Sequence, residues 1–243
     1  MKRGVRAALG ALALAGLGCA STPDPWEGMN RGTFWLNEHL DRYALEPAAT
    51  GWDWILPEPV QTSVSNFFDN LFVPIVFVND LLQAKPVAAS QDVGRFVVNT
   101  TAGVAGFFDV ASRIGIPEND EDFGQTFGRW GCPPGPYLVL PLLGPSSVRD
   151  AFGRVGDSAS TIYGYFVPWA VTAGLTSVDT VNVRAALLEE IRQDREESLD
   201  FYVFVRNAYL ENREHRAESW PRSRSRAWRA QPPLAPGPPG RVR

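Results

Sequence analysis

Apolar residues recur along most of this chain at helical spacing. Val60, Val64, Phe67, Phe68, Leu71 and Phe72 fall on one face of a helix, at the i, i+4, i+7, i+8 repeat. Pro74 is suited to open a second helix carrying Ile75, Val78, Leu81 and Leu82, and Pro86 to the first turn of a third. That third helix sets Ala89, Val93, Phe96, Val97 and Thr100 along one stripe. Asp179 or Thr180 can cap a helix bearing Val183, Leu187, Leu188 and Ile191, and a final helix carries Leu199, Tyr202, Val203, Tyr209 and Leu210. Runs of period two bounded by turn residues are missing, so the predicted fold class is all-α. Taken singly, each stripe is expected to face a packed helical core. The strongest apolar runs, Leu71–Val78, Tyr137–Leu143 and Phe166–Leu175, are each short and broken by Pro, below the roughly 18 residues that nominate a spanning helix.

Three segments depart from that pattern. Residues 1–18 have a cationic start (Lys2, Arg3, Arg6), then an apolar run from Ala7 to Leu17, and read as an export signal that is removed. Cys19 stands where a lipoprotein signal is cut and acylated, and Ala20 behind it favours the outer over the inner membrane. With Cys19 lipidated, Cys132 is alone in the mature chain and is expected to be buried. Residues 131–145 hold five Pro and three Gly, cannot sustain a helix, and bend only at Gly131, Gly135 and Gly144. Residues 214–243 form an Arg/Pro-rich tail whose composition predicts disorder. The domain division is therefore a leader over 1–18, one helical domain over 19–213, and the tail.

Charge narrows the function. Residues 213–243 hold eight Arg and two Glu, whereas 19–212 hold 12 Lys and Arg against 25 Asp and Glu. An acidic body argues against nucleic acid as a partner, because phosphate affinity needs clustered cations. One Lys (Lys85) in the mature chain and no phosphate-loop motif leave no sign of nucleotide use. His39 and His215 belong to no metal-ligand cluster, so no metal or other cofactor is expected. Gly156-Asp157-Ser158 is the one lipase-like string. It lies too late in the chain for an esterase of that type and lacks the matching Asp-x-x-His, so Asp157 and Ser158 read as a helix end or cap and no catalytic residue is assigned.

Ordered blocks of polar and apolar residues carry the informative signal. They run from Asp24-Pro25-Trp26-Glu27-Gly28-Met29-Asn30-Arg31 through Asn66-Phe67-Phe68-Asp69-Asn70-Leu71 with Pro74, Asn79 and Gln83. Next come Arg95-Phe96-Val97-Val98-Asn99-Thr100-Thr101-Ala102-Gly103, Gly106-Phe107-Phe108-Asp109 and Asp122-Phe123-Gly124-Gln125-Thr126. Gly135-Pro136-Tyr137-Leu138-Val139-Leu140-Pro141, Arg149-Asp150 and Asp200 to Tyr209 close the series. Over about residues 19–213 the chain resembles the MlaA (VacJ) family of outer-membrane lipoproteins. It departs from the family at Gly16, Phe127 and Cys132, and in its tail.

The resemblance implies an all-helical, ring-like body lying in the outer membrane around a central amphipathic channel. It implies removal of mislocalised phospholipid from the outer leaflet, delivery to a periplasmic carrier of the MlaC type, and, in some members, a trimeric porin alongside. Such a conduit must offer polar groups to a head group while the tails stay in apolar surroundings, since each exposed CH₂ costs about 0.8 kcal/mol. Asn66, Asn70, Asn79, Gln83, Arg95, Asn99 and Thr100 are the candidate channel and head-group contacts; each read alone is more simply a cap or an interhelical hydrogen bond. The candidate gating loop carries Gly131, Gly135, Pro136, Tyr137 and Gly144. A non-catalytic envelope scaffold and, behind it, a lipid esterase are the competing readings.

Overall fold

In a computed structural model of the chain, residues 24–161 and 163–218 are described; the leader, Cys19 and the tail beyond 218 lie outside them. Helix α1 (Glu27–Leu40) passes through a π-helical turn (Asp41–Leu45) into α2 (Glu46–Ile55). Pro47 explains the widened turn. It has no N–H to give the carbonyl of Tyr43, and the Glu46 N–H reaches five residues back to Asp41. The extra residue brings Glu38, Asp41 and Glu46 together against two later arginines. Arg184 donates to Asp41 at 2.8 Å, and Arg195 donates to Asp41 at 3.0 Å and to Glu46 at 3.1 Å.

Helix α3 (Glu58–Leu82) starts with Pro59 in its first turn and is followed by α4 (Pro86–Thr101), a short α5 (Val110–Arg113) and α6 (Phe123–Arg129). Strands β1 (Tyr137–Leu140) and β2 (Gly144–Ser147) come next, then α7 (Val148–Ser160), α8 (Tyr163–Phe166), α9 (Trp169–Ala186), α10 (Leu188–Glu197) and α11 (Phe201–Glu218). Packing closes these elements into a ring. Helix α1 meets the π turn, α2 meets α9, α9 meets α3, α3 meets α6, α6 meets α7 and α11, and the hairpin joins both of these back to α1. None of the described helices is long and apolar enough to cross a membrane.

Several expectations need correction. Pro74 does not open a helix; α3 runs through it, giving up only the hydrogen bond residue 74 would make to the carbonyl of Asn70. Asp179 and Thr180 lie inside α9, which starts after Pro168. The 131–145 segment contains a two-stranded antiparallel hairpin with Tyr137 opposite Ser147 and Leu140 opposite Gly144. Its four-residue strands are too short to show an alternating pattern. Cys132 is exposed, because the left-handed Gly131 turns the chain outward after α6.

The largest correction concerns orientation. On α4 the buried residues are Ala89, Asp92, Arg95 and Asn99, while Val93, Phe96 and Val97 face outward. On α3, Gln61, Asn70, Asn79 and Asp80 are buried beside Phe68 and Ile75, and Val60, Phe72, Leu81 and Leu82 are exposed. Buried polar and charged side chains outnumber buried apolar ones among the described residues. Trp54 is 87% exposed, and Phe166 and Trp169 are each 83% exposed. That distribution inverts the usual one for a protein in water.

Conventional apolar packing is confined to two small clusters. Ala49, Ala185 and Leu188 with Trp52 join α2 to α9 and α10. Tyr137, Val139 and Tyr202, with Phe34, Val203, Tyr209 and Leu210, join the hairpin to α1 and α11. In the second cluster α1 uses two asparagines as a strand would use its backbone. The Asn30 amide donates to the Tyr137 carbonyl at 3.0 Å and accepts from the Val139 N–H at 2.9 Å. One heptad on, Asn37 donates to Leu140 at 2.9 Å and accepts from Leu142 at 2.8 Å.

Candidate functional site

A cavity of about 780 Å³ lies among α3, α4, the 118–122 segment and the end of α7. Phe72, Val73, Ile75 and Val76 give it an apolar side. The polar side is strongly acidic: Asp69, Asp92, Asp109, Glu118, Asp120, Glu121, Asp122 and Asp157 line it, with Arg95 the one basic residue among the lining. An enclosure with one greasy and one charged wall accommodates an amphiphile in a defined direction.

Most of these charges are held. Arg95, buried on α4, donates to Ser112 and to the Ile116 carbonyl, both at 2.9 Å, and to Asp109 at 3.2 Å. Asn99 donates to Asp109 at 3.0 Å and accepts from the Ala111 N–H at 2.9 Å. Burial opposes charge on Asp109, but the donors from Ser112 and Asn99 and the Arg95 charge hold its carboxyl at about 2. Arg213 forks onto Asp122 at 2.6 and 3.1 Å and reaches Asp150 at 2.8 Å. Lys85 pairs with Glu121 at 2.5 Å, and Arg216 with Asp120 at 2.6 Å.

Two lining carboxyls behave differently. Burial, helped by Glu118 and Asp179, pushes Asp69 up to about 6. Burial does the same to Asp157, again to about 6, although it accepts the Phe123 N–H at 3.1 Å. Beneath the α3–α4 elbow, Asp80 is fully buried close to Asp92; burial and that neighbour push Asp80 up to about 7, and burial raises Asp92 as well.

Of the seven expected channel contacts, Asn66, Asn70, Arg95 and Asn99 line this cavity. Asn79 and Gln83 do not. Asn79 donates to the Ile75 carbonyl and accepts from the Thr126 hydroxyl at 2.7 Å, and Gln83 donates to Thr126 and Glu121. Both tie α3 to α6 from within. Thr100 supports the site indirectly, accepting a 3.0 Å hydrogen bond from Asn70.

The turn after α4 packs against Asn66 and Asn70, two of the lining residues. Val104, Ala105 and Gly106 take successive left-handed conformations, and Asn66 donates to the Phe107 carbonyl at 3.3 Å. A Cβ at Gly106 would stand 2.5 Å from that of Asn70, so only glycine fits there.

The loop residues separate into a buried base and a tip whose side chains are exposed while its backbone is held by Asn37 and Arg154. Tyr137 is buried in the core under the Asn30 clamp. Gly131, Gly135 and Pro136 lie on the strap leading to it, and Gly144 opens β2. Leu142 and Leu143 at the tip are exposed, with Leu142 at a left-handed φ of 66°.

Sequence reasoning missed Asp69 and Asp157 as lining groups, as well as the acidic wall. The run Glu118, Asp120, Glu121 and Asp122 was the available signal for that wall. Ser158 also lines the cavity, but its hydroxyl donates to the Arg154 carbonyl at 2.8 Å. His39 contacts the Trp35 carbonyl and His215 faces Glu211, so neither imidazole reaches Ser158. Among the described residues, no group of three His, Cys, Asp or Glu side chains is placed to hold a metal ion.

Comparison with known proteins gives a consistent result. The family described as MlaA lipoprotein matches residues 22–216. The chain is 34% identical over 206 residues to the intermembrane phospholipid transport system lipoprotein MlaA of Escherichia coli K12, covering 80% of this chain and 81% of that one. The Haemophilus influenzae protein of the same name is 34% identical over 226 residues, 85% of this chain and 86% of the other. A protein of Rickettsia conorii is 35% identical over 202 residues, with 81% and 79% covered. A solved structure, described as the structural basis for maintenance of bacterial outer membrane lipid asymmetry, superposes with a TM-score of 0.71 at 34% identity, over 80% of this chain and 98% of that one.

Proposed function

This chain belongs to the MlaA lipoprotein family, and we propose from that premise that it is a conduit for phospholipid at the outer membrane. In this reading it takes mislocalised phospholipid from the outer leaflet and hands it to a periplasmic carrier of the MlaC type. The observation that carries the reading is the inverted side-chain distribution: aromatic and aliphatic residues outside, Asn, Asp and Arg around an internal cavity. The outer surface suits acyl chains, and the polar, water-accessible cavity spares a head group the several kcal/mol that an unsolvated polar group costs in hydrocarbon. Most cavity side chains already have partners, so the walls keep their shape whether or not a lipid is present.

Transport here is passive. The chain lowers a barrier, and direction comes from the carrier and the lipid gradient. Cys19 carries the acyl anchor, the body sits in the inner leaflet facing the periplasm, and the exposed aromatic face leaves room for a trimeric porin. Gly131, Gly135, Pro136, Tyr137 and Gly144 frame a gating loop that ends in the Pro141–Leu143 tip. A disulfide locking that tip to α1 is expected to block lipid removal.

A strain lacking the protein tests the reading. It is expected to accumulate phospholipid that a non-permeant amine reagent labels at the cell surface, and restoration of the gene is expected to reverse the labelling. Normal labelling with an altered cell shape would favour a scaffold instead. Cys19→Ala is expected to release the protein from the outer-membrane fraction; retention would mean that the apolar face alone holds it.

A further inference from the structure

A second cavity, of about 230 Å³, lies where α3 ends among α6, α7 and α11. Its charge is opposite to that of the first. Lys85, Arg129, Arg149, Arg213 and Arg216 line it, with Glu121 the one acid among the lining. Asp120, Glu121 and Asp122 line the large cavity, and their partners Arg216, Lys85 and Arg213 line the small one. Three consecutive acids thus turn carboxylates to one space while the cations they hold face the other. Asp150 lines neither cavity and holds two of these cations from behind. Its Oδ1 accepts from Arg149 Nε at 3.0 Å and lies 2.8 Å from Arg213 Nη2.

That shared oxygen brings two guanidinium groups side by side. Helix α6 makes room for them with Gly124 and Gly128, one turn apart. A Cβ at Gly124 would stand 2.6 Å from Arg213 Nη2, and one at Gly128 would stand 2.8 Å from Arg149 Nη1. Gly128 itself lines the cavity, so the end of Arg149 lies at the cavity wall. The Arg149 side chain is only 11% exposed. Its Nε donates to Asp150, while its two terminal nitrogens have no hydrogen-bond partner among the described residues and are not sealed from solvent. A guanidinium fixed at one edge, with unused donors at the other and a second guanidinium beside it, is suited to an oxyanion. We propose that this cavity binds a phosphate group, carried by a phospholipid head group or by free phosphate. A space of that volume measures about 8 Å across, which admits one phosphate and leaves charge-assisted hydrogen bonds of about 2.8 Å to more than one wall. The pairing with Asp122 and Asp150 holds the cations in place beforehand, so little side-chain freedom is lost on binding. The proposal goes beyond the conduit reading and stands without it, since it rests on the second cavity.

The experiment uses the full-length protein purified in a neutral detergent at pH 7.5 and low salt. It is titrated by calorimetry with inorganic phosphate, with dihexanoyl-phosphatidylglycerol and, as a phosphate-free control, with dihexanoylglycerol. At least one of the two phosphate compounds is expected to bind with a Kd below about 1 mM. In Arg149→Gln, where Asp150 keeps Arg213 and Tyr209 as partners, that binding is expected to weaken at least about tenfold, with the control unchanged. Gly128→Ala keeps every charge but pushes the Arg149 guanidinium off its seat, and is expected to weaken the same ligand at least about threefold. Thermal transitions check both variants for folding, and either one alone suffices if the other fails to fold. Tighter binding of the lipid than of inorganic phosphate assigns the cavity to a head group, and the reverse order assigns it to free phosphate; both support the site. Binding of neither phosphate compound, an affinity unchanged in the folded variants, or tighter binding of a tetraglutamate peptide would each overturn it, the last by making the cavity a dock for an acidic protein. The conduit reading is tested separately, by surface labelling of the deletion strain, so its failure is told apart from failure of this site.

Discussion

The hairpin corner and the α3–α4 cavity solve the same problem in opposite ways. At the corner, Phe34, Tyr137, Val139 and Tyr202 turn their side chains inward; the Tyr202 hydroxyl donates to Asp24 and Asn30 serves β1, while the Tyr137 hydroxyl is buried without a partner. At the cavity, α4 turns Asp92, Arg95 and Asn99 inward and leaves Val93, Phe96 and Val97 outside. Both regions bury hydrogen-bonded polar side chains and leave a few buried polar atoms unpaired, but only the second gathers charged side chains around open space. The corner is built for stability and the cavity for occupancy. Substitutions at the corner should therefore move stability, and substitutions in the cavity should move lipid handling.

Asn30→Ala tests that division most severely. The side chain is fully buried and donates to Asp24 and Tyr137 while accepting from Val139, so its loss leaves the strand edge unpaired away from water. Three buried hydrogen bonds at about 1 kcal/mol each predict a loss of about 3 kcal/mol. Denaturant unfolding followed by circular dichroism in detergent reads this directly, and a change below about 1 kcal/mol would mean that the hairpin does not depend on its clamp.

Gly106→Ala comes next, and it touches the border between the regions. The left-handed backbone at φ 94° and the 2.5 Å approach to Asn70 predict a loss of about 2 kcal/mol. Because the added methyl pushes on Asn70, lipid binding should weaken along with stability. A variant that lost stability alone would separate the turn from the cavity.

Much of this architecture was legible in the sequence, but its orientation was not. Periodicity located α3, α4 and α11, and Pro86 marked the start of α4. Periodicity defines a stripe without saying which side of the protein the stripe faces. The rule that stripes face inward assumes water outside, and this surface breaks that assumption. The blocks of Asn and Asp residues carried the missing information, because Asn66, Asn70, Arg95 and Asn99 converge only when the polar faces of α3 and α4 turn toward each other. Pro74 misled because a proline inside a long helix leaves the same trace as one that begins a new helix. Asp69 was passed over because nothing local separates an unpaired carboxylate from a paired one. That distinction arises when Arg95, 26 positions away in sequence, commits to Asp109 instead.

Acid separates the two regions by sign. Asp150, close to the corner, is held at about 2 against the cost of burial by Arg213, Tyr209 and Arg149. Its depressed value makes it stabilising above the usual carboxylate range, and that contribution is lost as the pH falls from about 4 through 2; Asp150→Asn should cost about 2 kcal/mol at pH 7. Asp69 and Asp157 are raised to about 6, so the folded protein holds their protons longer than the unfolded chain does. Stability from these two is greatest below about 4 and falls as the pH rises through 6. Asp69 is open to the cavity and solvent screens it, so Asp69→Asn should gain no more than about 1 kcal/mol at pH 7. Thermal unfolding between pH 3 and 8 should show the Asp150 variant losing the low-pH slope and the Asp69 variant flattening the higher one. The same slope change in both variants would erase the contrast between the two regions.

The smallest expected effect falls on Ser158, which lines the cavity on the last turn of α7. Its hydroxyl returns to the Arg154 carbonyl of its own helix, and no imidazole stands beside it to take the proton. A serine acting as a nucleophile needs such a base within hydrogen-bond reach, so Ser158→Ala would abolish an esterase by several orders of magnitude. In a conduit the substitution removes one local hydrogen bond and gains helix propensity, for a net change within about 0.5 kcal/mol. Surface phospholipid labelling in cells carrying Ser158→Ala should therefore match the wild type. Labelling at the level of the deletion strain, with the variant protein still folded and present, would turn the cavity from a passage into a reaction site.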